Sequence, residues 1–269
     1  MFYAIKRRSF VLLEREVVAG GARLEVALHG TPVPGKAPIV LLHEGLGSVA
    51  LWKSFPLQLA ERTGRYVVVY SRYGHGSSGV LASKRDVDYM HQEGAAVLPQ
   101  VIAELGLEHP ILFGHSDGAS IALICAGTHP DLASALVLEA PHVFVEEHTI
   151  AGIEAARTDF LTTNLPEKLA RYHRDVERTF WGWNDIWLDE RFRSWNIERY
   201  LPAVHVPVLV IQGEDDEYGT AAQYEAIAAH IPTAQIVTLA GCGHSPHRDR
   251  TLATLDATAS FLAANLSNA

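Results

Sequence analysis

Unbroken runs of Val, Ile and Leu, bounded by Gly, Pro or Asp and separated by helical patterns, recur along most of the chain. Six of them, 38–44 (PIVLLHE), 65–71 (RYVVVYS), 110–115 (PILFGH), 134–140 (SALVLEA), 207–213 (PVLVIQG) and 234–240 (AQIVTLA), predict short buried strands. Continuous apolar runs of this length, unlike alternating ones, suit a parallel sheet covered on both faces. Residues 10–18 and 22–29, around "AGGA", predict an N-terminal hairpin, and amphipathic patterns over 52–63, 91–106, 117–128, 219–231 and 249–265 predict helices. The alternation argues for the α/β class, with an eight-stranded, mostly parallel sheet flanked by helices.

One stretch breaks this rhythm. Between Ala140 and Pro207 lie about 65 residues of helical pattern, rich in Trp, His and Arg, that hold Trp181, Trp183, Trp187 and Trp195, four of the five tryptophans. A structureless loop of that length is foreign to a compact domain. Residues 141–205 therefore predict a helical cap inserted after the sixth strand, with 1–140 and 206–269 forming the core domain.

Composition narrows the partners. The 269 residues, 48% of them apolar, suffice for one well-buried core with a small extra lobe. With 22 Lys+Arg against 31 Asp+Glu the net charge is −9, which repels phosphate backbones and anionic membrane surfaces. No basic stripe and no membrane-length apolar run offsets this. A small-molecule substrate is expected, with no nucleic acid and no membrane, for a monomer or small homo-oligomer. Cys125 and Cys242 make no disulfide framework and no C-x-x-C, which favours a reducing, cytoplasmic setting and packing roles for both. Arg7-Arg8 before Ser9-Phe10 superficially resembles a twin-arginine export signal, but the apolar run Phe10–Leu13 stops at Glu14 and reads as the start of the first strand.

The chemistry gathers at strand ends. Gly114-His115-Ser116-Asp117-Gly118 fits G-x-S-x-G, with a buried strand before it and the helical "GASIALICAG" after it. Its glycines permit a tight reversal that lifts the serine hydroxyl above the sheet edge, with a helix N-terminus behind it. On those residues alone Ser116 is equally well read as a helix cap. What decides is the rest of the chain. After "PVLVIQG" come Glu214-Asp215-Asp216, and after "AQIVTLA" come Gly241-Cys242-Gly243-His244. An acid and a histidine at later strand ends, in the order Ser, Asp, His, supply the base and its orienting carboxylate. The glycines of "LLHEGLGS" would turn a backbone N–H toward the same site, opposite the N–H of Asp117, as an oxyanion hole.

Taken together, "LLHEGLGSVALW", "SRYGHGSSG", "GHSDGAS", "GEDDEYG" and "GCGHSPHRD" resemble the α/β-hydrolase superfamily, in the style of small bacterial esterases, enol-lactonases and meta-cleavage-product hydrolases. The resemblance implies Ser116 as nucleophile, His244 as base and Asp216, third after the strand-ending glycine, as the acid in preference to Asp215. It places the first oxyanion donor at Gly45, with Glu44 or Leu46 as fallbacks, and implies no cofactor. The implied reaction is hydrolysis of a small ester, thioester or lactone through an acyl-enzyme. Carbon–carbon bond hydrolysis of a vinylogous diketone and a receptor-like, ligand-binding role are the alternatives. His115 before the nucleophile and Ser245 after the base, where carbon–carbon hydrolases often carry Asn and Trp, weaken the first. Glu44 stands where the family usually has glycine. Its side chain is expected to turn away into hydrogen bonds, the other reading being a pocket acid that touches substrate.

Other signals carry less. Gly74-His75-Gly76-Ser77-Ser78-Gly79 matches G-x-G-x-x-G, but the polar "VLASKRDVDYM" that follows is not the helix a dinucleotide site needs. His244 and His247 form an H-x-x-H without a third ligand at a diagnostic spacing, so no metal is expected. His43 and His115 read as structural hydrogen-bonding residues, and Glu139 as an alternative orienting acid. His142, Trp181, Trp183 and Trp187 are the candidates for lining the substrate pocket. Arg157, Arg171 and Arg178 read as a solvated face.

Overall fold

The structure is a computed structural model that describes residues 12–266, with side chains from Glu14 onward. The Arg7-Arg8 pair and the Phe10 start of the expected first strand lie outside the described residues. Eight strands form one sheet: β1 (Leu12–Ala19), β2 (Ala22–His29), β3 (Ile39–Leu42), β4 (Val67–Tyr70), β5 (Ile111–His115), β6 (Ala135–Glu139), β7 (Val208–Gly213) and β8 (Gln235–Leu239). Their order is β1-β2-β4-β3-β5-β6-β7-β8, with β1 and β2 antiparallel and β3 to β8 parallel. The unbroken apolar runs behave as expected in β3 to β7, every residue of which is buried. The last does not. β8, at one edge of the sheet, is half exposed, because Gln235 and Thr238 interrupt its apolar run and no strand among the described residues covers its outer side.

Ten helices accompany the sheet among the described residues: α1 (Phe55–Thr63), α2 (Tyr89–Gln92), α3 (Leu98–Glu104), α4 (Asp117–Thr128), α5 (Glu147–Thr162), α6 (Leu165–Leu169), α7 (Val176–Trp187), α8 (Ala221–His230), α9 (Pro246–Asp249) and α10 (Thr251–Asn265). The helix expected over 52–63 begins as a separate 3₁₀ turn at Val49–Trp52, and that over 91–106 is α2, a π turn at Glu93–Val97 and α3. The π turn sits where Gly94 meets α4. A Cβ there would lie 2.7 Å from the Ile121 carbonyl, an approach only glycine allows. None of the helices is long and apolar enough to cross a membrane.

Two apolar layers sandwich the sheet. Trp52, Phe55, Phe113 and Leu255 pack on one face, and Leu112, Leu138, Ile121 and Leu123 on the other. Between β6 and β7 the chain leaves the sheet to form α5, α6, α7 and two 3₁₀ turns. This insert has its own aromatic pile, in which Trp187, Phe192 and Trp195 lie 5.0–6.0 Å apart and Phe160 stacks on Phe180 at 3.8 Å. An isolated bridge, Phe144 to Asn196, ties its two ends. In the sheet order β4 and β5 lie on opposite sides of β3, so a crevice opens beyond the carboxyl ends of β3 and β5.

Candidate active site

The crevice brings the β3 and β5 loops side by side, since Leu42 and Gly114 are register partners. Ser116 joins β5 to α4 with φ 53° and ψ −119°, a conformation that costs a non-glycine residue about 1–3 kcal/mol. The neighbours hold it there. Its N–H donates to Glu139 O at 2.9 Å, and its carbonyl accepts the N–H groups of Ala119 and Ser120. The flanking glycines are steric necessities: a Cβ on Gly114 would sit 2.4 Å from Gly118 O, and one on Gly118 would sit 2.1 Å from Leu42 O.

Ser116 Oγ lies 2.9 Å from His244 Nε2, and His244 Nδ1 lies 2.8 and 2.9 Å from the two Asp216 oxygens. Asp216 is buried and Asp215 exposed. The Asp216 carboxylate also accepts Tyr218 N–H at 2.8 Å, Gly219 N–H at 3.0 Å and the Gln212 amide at 2.6 Å. Burial alone would raise its pKa, but the His244 ring and these donors outweigh burial and hold the carboxyl below its usual value. His244 N–H donates to Glu217 at 2.8 Å, which sets the loop that carries the ring. Glu139, the alternative acid, instead pairs with His247 at 2.7 Å. Of the H-x-x-H pair only His247 joins a group of three ligand-type residues among the described residues: its ring, His115 and Glu139 offer atoms within 4.8 Å of one another, while His244 contacts Asp216 and Ser116.

The loop after β3 that carries Glu44, Gly45 and Leu46 is fixed from behind by residues far away in sequence. Arg72 donates to the carbonyls of His43 and Glu44, His75 Nε2 to Gly45 O at 2.9 Å, and His173 Nε2 to Leu46 O at 2.8 Å. In a planar trans peptide the next N–H points opposite each carbonyl, so pinning those oxygens turns the N–H groups of Gly45 and Leu46 the other way. Asp117, first residue of α4, has an N–H with no intrahelical acceptor. Gly45, Leu46 and Asp117 all line one cavity of about 260 Å³ that also contains Ser116 and His244. No sequence signal marked Arg72 and His173 for this role, and His75 stood inside a glycine pattern read as something else.

Of the proposed pocket residues, Glu44, His142, Trp183 and Trp187 line this cavity and Trp181 does not. Trp181 faces the outer side of α7, where its indole N–H donates to Glu177 at 2.8 Å. Two residues along a helix is about 200°, whereas four residues, from Trp183 to Trp187, return to one face. Thr149 and Ile153, which no motif marked, complete the insert side of the wall, and Tyr218, from the loop after β7, closes the core side. The three arginines lie elsewhere: Arg157 holds Asn184 and Asp185, Arg178 holds Leu81 O, and Arg171 is exposed. Glu44 departs from the expected arrangement. Its carboxylate reaches no hydrogen-bonding group of another described residue beyond its own backbone N–H, lines the cavity, and comes no nearer a basic group than His115 Nδ1 at 3.9 Å. Burial raises its pKa.

Residues 39–257 match the model of the alpha/beta hydrolase family. The chain belongs to that family. This hydrolase is 26% identical over 250 residues to a proline iminopeptidase of Lactobacillus delbrueckii subsp. bulgaricus, covering 78% of this chain and 84% of that one. It is 29% identical over 255 residues to an sn-1-specific diacylglycerol lipase of Mus musculus, covering 84% and 80%. Among solved structures, the enol-lactonase from Burkholderia xenovorans LB400 superposes with a TM-score of 0.71 at 20% identity, covering 92% of this hydrolase and 99% of that chain, which speaks for the fold alone.

Proposed function

We propose that the hydrolase acts as a serine hydrolase on small carboxylic esters, thioesters or lactones, through an acyl-enzyme on Ser116. The continuous contact from Ser116 Oγ to His244 to Asp216, at 2.9 and 2.8 Å, carries this reading. His244 takes the hydroxyl proton as Oγ attacks the carbonyl, then returns it to the leaving group. Asp216 keeps Nδ1 protonated and Nε2 free, the tautomer the step requires. The N–H groups of Asp117 and Gly45 receive the negative oxygen of the tetrahedral intermediate, each worth about 3–4 kcal/mol when aimed at it. Water then enters by the same route, with His244 as its base, and frees the acid.

The insert, read as a cap, sets the size of the acyl or alcohol group. Trp183 and Trp187 give a flat apolar wall, which favours aromatic or alicyclic groups. The named relatives include a peptidase as well as a lipase, so amides belong in the substrate panel.

A fluorophosphonate should label one residue, Ser116, as located by peptide mapping. Ser116→Ala should keep the native melting temperature and lose about 10³-fold or more in turnover across a panel varied in acyl length and aromaticity. A Ser116→Ala enzyme as active as its parent, or label found on another residue, overturns the proposal.

A further inference from the structure

Glu44 and His115 form an acceptor pair with nothing between them to donate. His115 Nε2 lies 2.6 Å from the His244 carbonyl, a contact that requires the ring proton on that nitrogen. Its Nδ1 is therefore a bare lone pair, on a side chain 1% exposed, and it has no hydrogen-bond partner. Glu44 Oε2 faces it at 3.9 Å on a side chain about one-third exposed, an acceptor when ionised whose one backbone contact is with its own N–H. Two acceptors held this close on residues that line the same cavity would be satisfied together by one group that donates at least two hydrogen bonds.

The surroundings decide the charge of that group. The cavity wall carries Glu44, Glu217 and the His244 ring, itself paired with Asp216, while His142 is kept neutral, its pKa lowered by burial to about 3. Arg248, the cationic side chain on this wall, is drawn to Asp249 at 3.1 Å. Glu44 also borders a second cavity of about 400 Å³, which shares Ser245 and Arg248 with the first and continues to Trp52, Phe55 and Gln58. Its lysine, Lys53, is turned to the Tyr172 hydroxyl at 2.5 Å. Glu44 thus stands at the junction of the two cavities as a carboxylate with no cation of its own.

Building on the serine-hydrolase reading, we propose that Glu44 and His115 form a subsite for a cationic amine, so that the preferred substrates carry a primary or secondary ammonium on the arm that runs past Glu44. The ammonium donates one hydrogen bond to the carboxylate and one to His115 Nδ1. A substrate with a carboxylate at the same place is repelled. This makes Glu44 a specificity-determining residue in the position where the family usually has glycine.

The test is protection of Ser116 from a fluorophosphonate by three matched series of two to six carbons: n-alkylammonium chlorides, n-alkanols and n-alkanoates, at pH 7. At the best chain length the ammonium should protect at a concentration about tenfold or more below its alkanol and alkanoate counterparts, the size of one charge-assisted hydrogen bond. In Glu44→Gln the ammonium-to-alkanoate ratio should fall to about twofold or less. Equal protection by the three series in the wild-type enzyme means that the acceptor pair holds only water, and overturns the subsite without any variant. An unchanged ratio in a Glu44→Gln enzyme with native circular dichroism overturns the role of Glu44. Failure of the fluorophosphonate to label Ser116 at all is a different result, and it overturns the serine-hydrolase reading itself.

Discussion

Ser116, His244 and Asp216 are legible as a set because each stands shortly after an apolar run and within three residues of a glycine, where the chain must turn and a side chain is free to project over the sheet edge. What supports them is not legible. Tyr218 N–H, Gly219 N–H and the Gln212 amide hold Asp216 through backbone geometry that no residue type announces. Their effect is testable. With four hydrogen-bonding partners, counting the His244 ring, the carboxylate stays ionised and keeps the proton on His244 Nδ1. Asp216→Asn retains the shape but allows the amide N–H to face the ring, which forces the proton onto Nε2, the atom that must accept from Ser116. We expect turnover of 4-nitrophenyl acetate to fall by about 10⁴-fold with KM changed only a few-fold. A fall of less than tenfold would show that the carboxylate does not set the tautomer. Glu44 illustrates the opposite limit of reading residues: its side chain turns into the cavity rather than away from it because of where His43, Gly47 and His115 lie around it, which motif position alone does not reveal.

Elements were readable where one periodicity governed them and misread where packing changed the rule. α4 was bounded correctly from sequence because "GASIALICAG" is apolar on every side, and ten of its twelve residues are buried. α7 is harder: helical spacing puts Trp183 and Trp187 on one face and Trp181 on another, but which face turns inward is set by packing against the rest of the fold, where Trp183 and Trp187 are buried. The junction of β3, β5 and α4 makes the sharpest prediction at this scale. α4 approaches β3 so closely that Gly118 touches the Leu42 carbonyl, which belongs to the strand leading into the oxyanion loop. In Gly118→Ala the new methyl meets backbone on a buried strand, so the helix must shift outward. Overpacking of this kind costs about 1–3 kcal/mol or more. At roughly 2–4 °C per kcal/mol for a chain of this size, the melting temperature should drop by about 5–10 °C. Because the shift moves Asp117 N–H away from the oxyanion position, turnover should fall together with stability. A variant with parental melting temperature would mean that the contact is looser than 2.1 Å implies.

At the scale of the whole molecule, burial of histidine ties catalysis to pH through stability. The oxyanion loop rests on neutral rings: His43 accepts the Arg72 N–H on Nε2 at 3.0 Å while its Nδ1 donates to Glu44 O, and His173 accepts Gly76 N–H while donating to Leu46 O. Sequence separations of 29 and 127 residues join these groups, which is why the chain read alone marks His43 as a hydrogen-bonding residue but does not name its partner Arg72 or bring in His173. Burial holds His43, His75 and His115 well below 6.5, and takes His142 to about 3. In the unfolded chain each titrates near its ordinary value, about 6.5. Below that pH the unfolded chain binds protons that the folded one refuses, so stability is complete above about pH 6.5 and falls as the pH drops. Each fully buried ring contributes a slope of about 1.4 kcal/mol per pH unit in that window. The carboxyls of Glu44 and Glu93, raised by burial, act in the opposite direction from about pH 4.5 upward and offset part of it. With four strongly depressed histidines against two raised carboxyls, the net effect from pH 7 to pH 5 is destabilising. The urea midpoint should fall steadily over that range, and the dependence should be shallower by about one proton in His43→Gln, whose amide has no charged form. A midpoint that is flat or rises toward pH 5 would mean that the buried rings take up protons in place, with the loop rearranging to accept them.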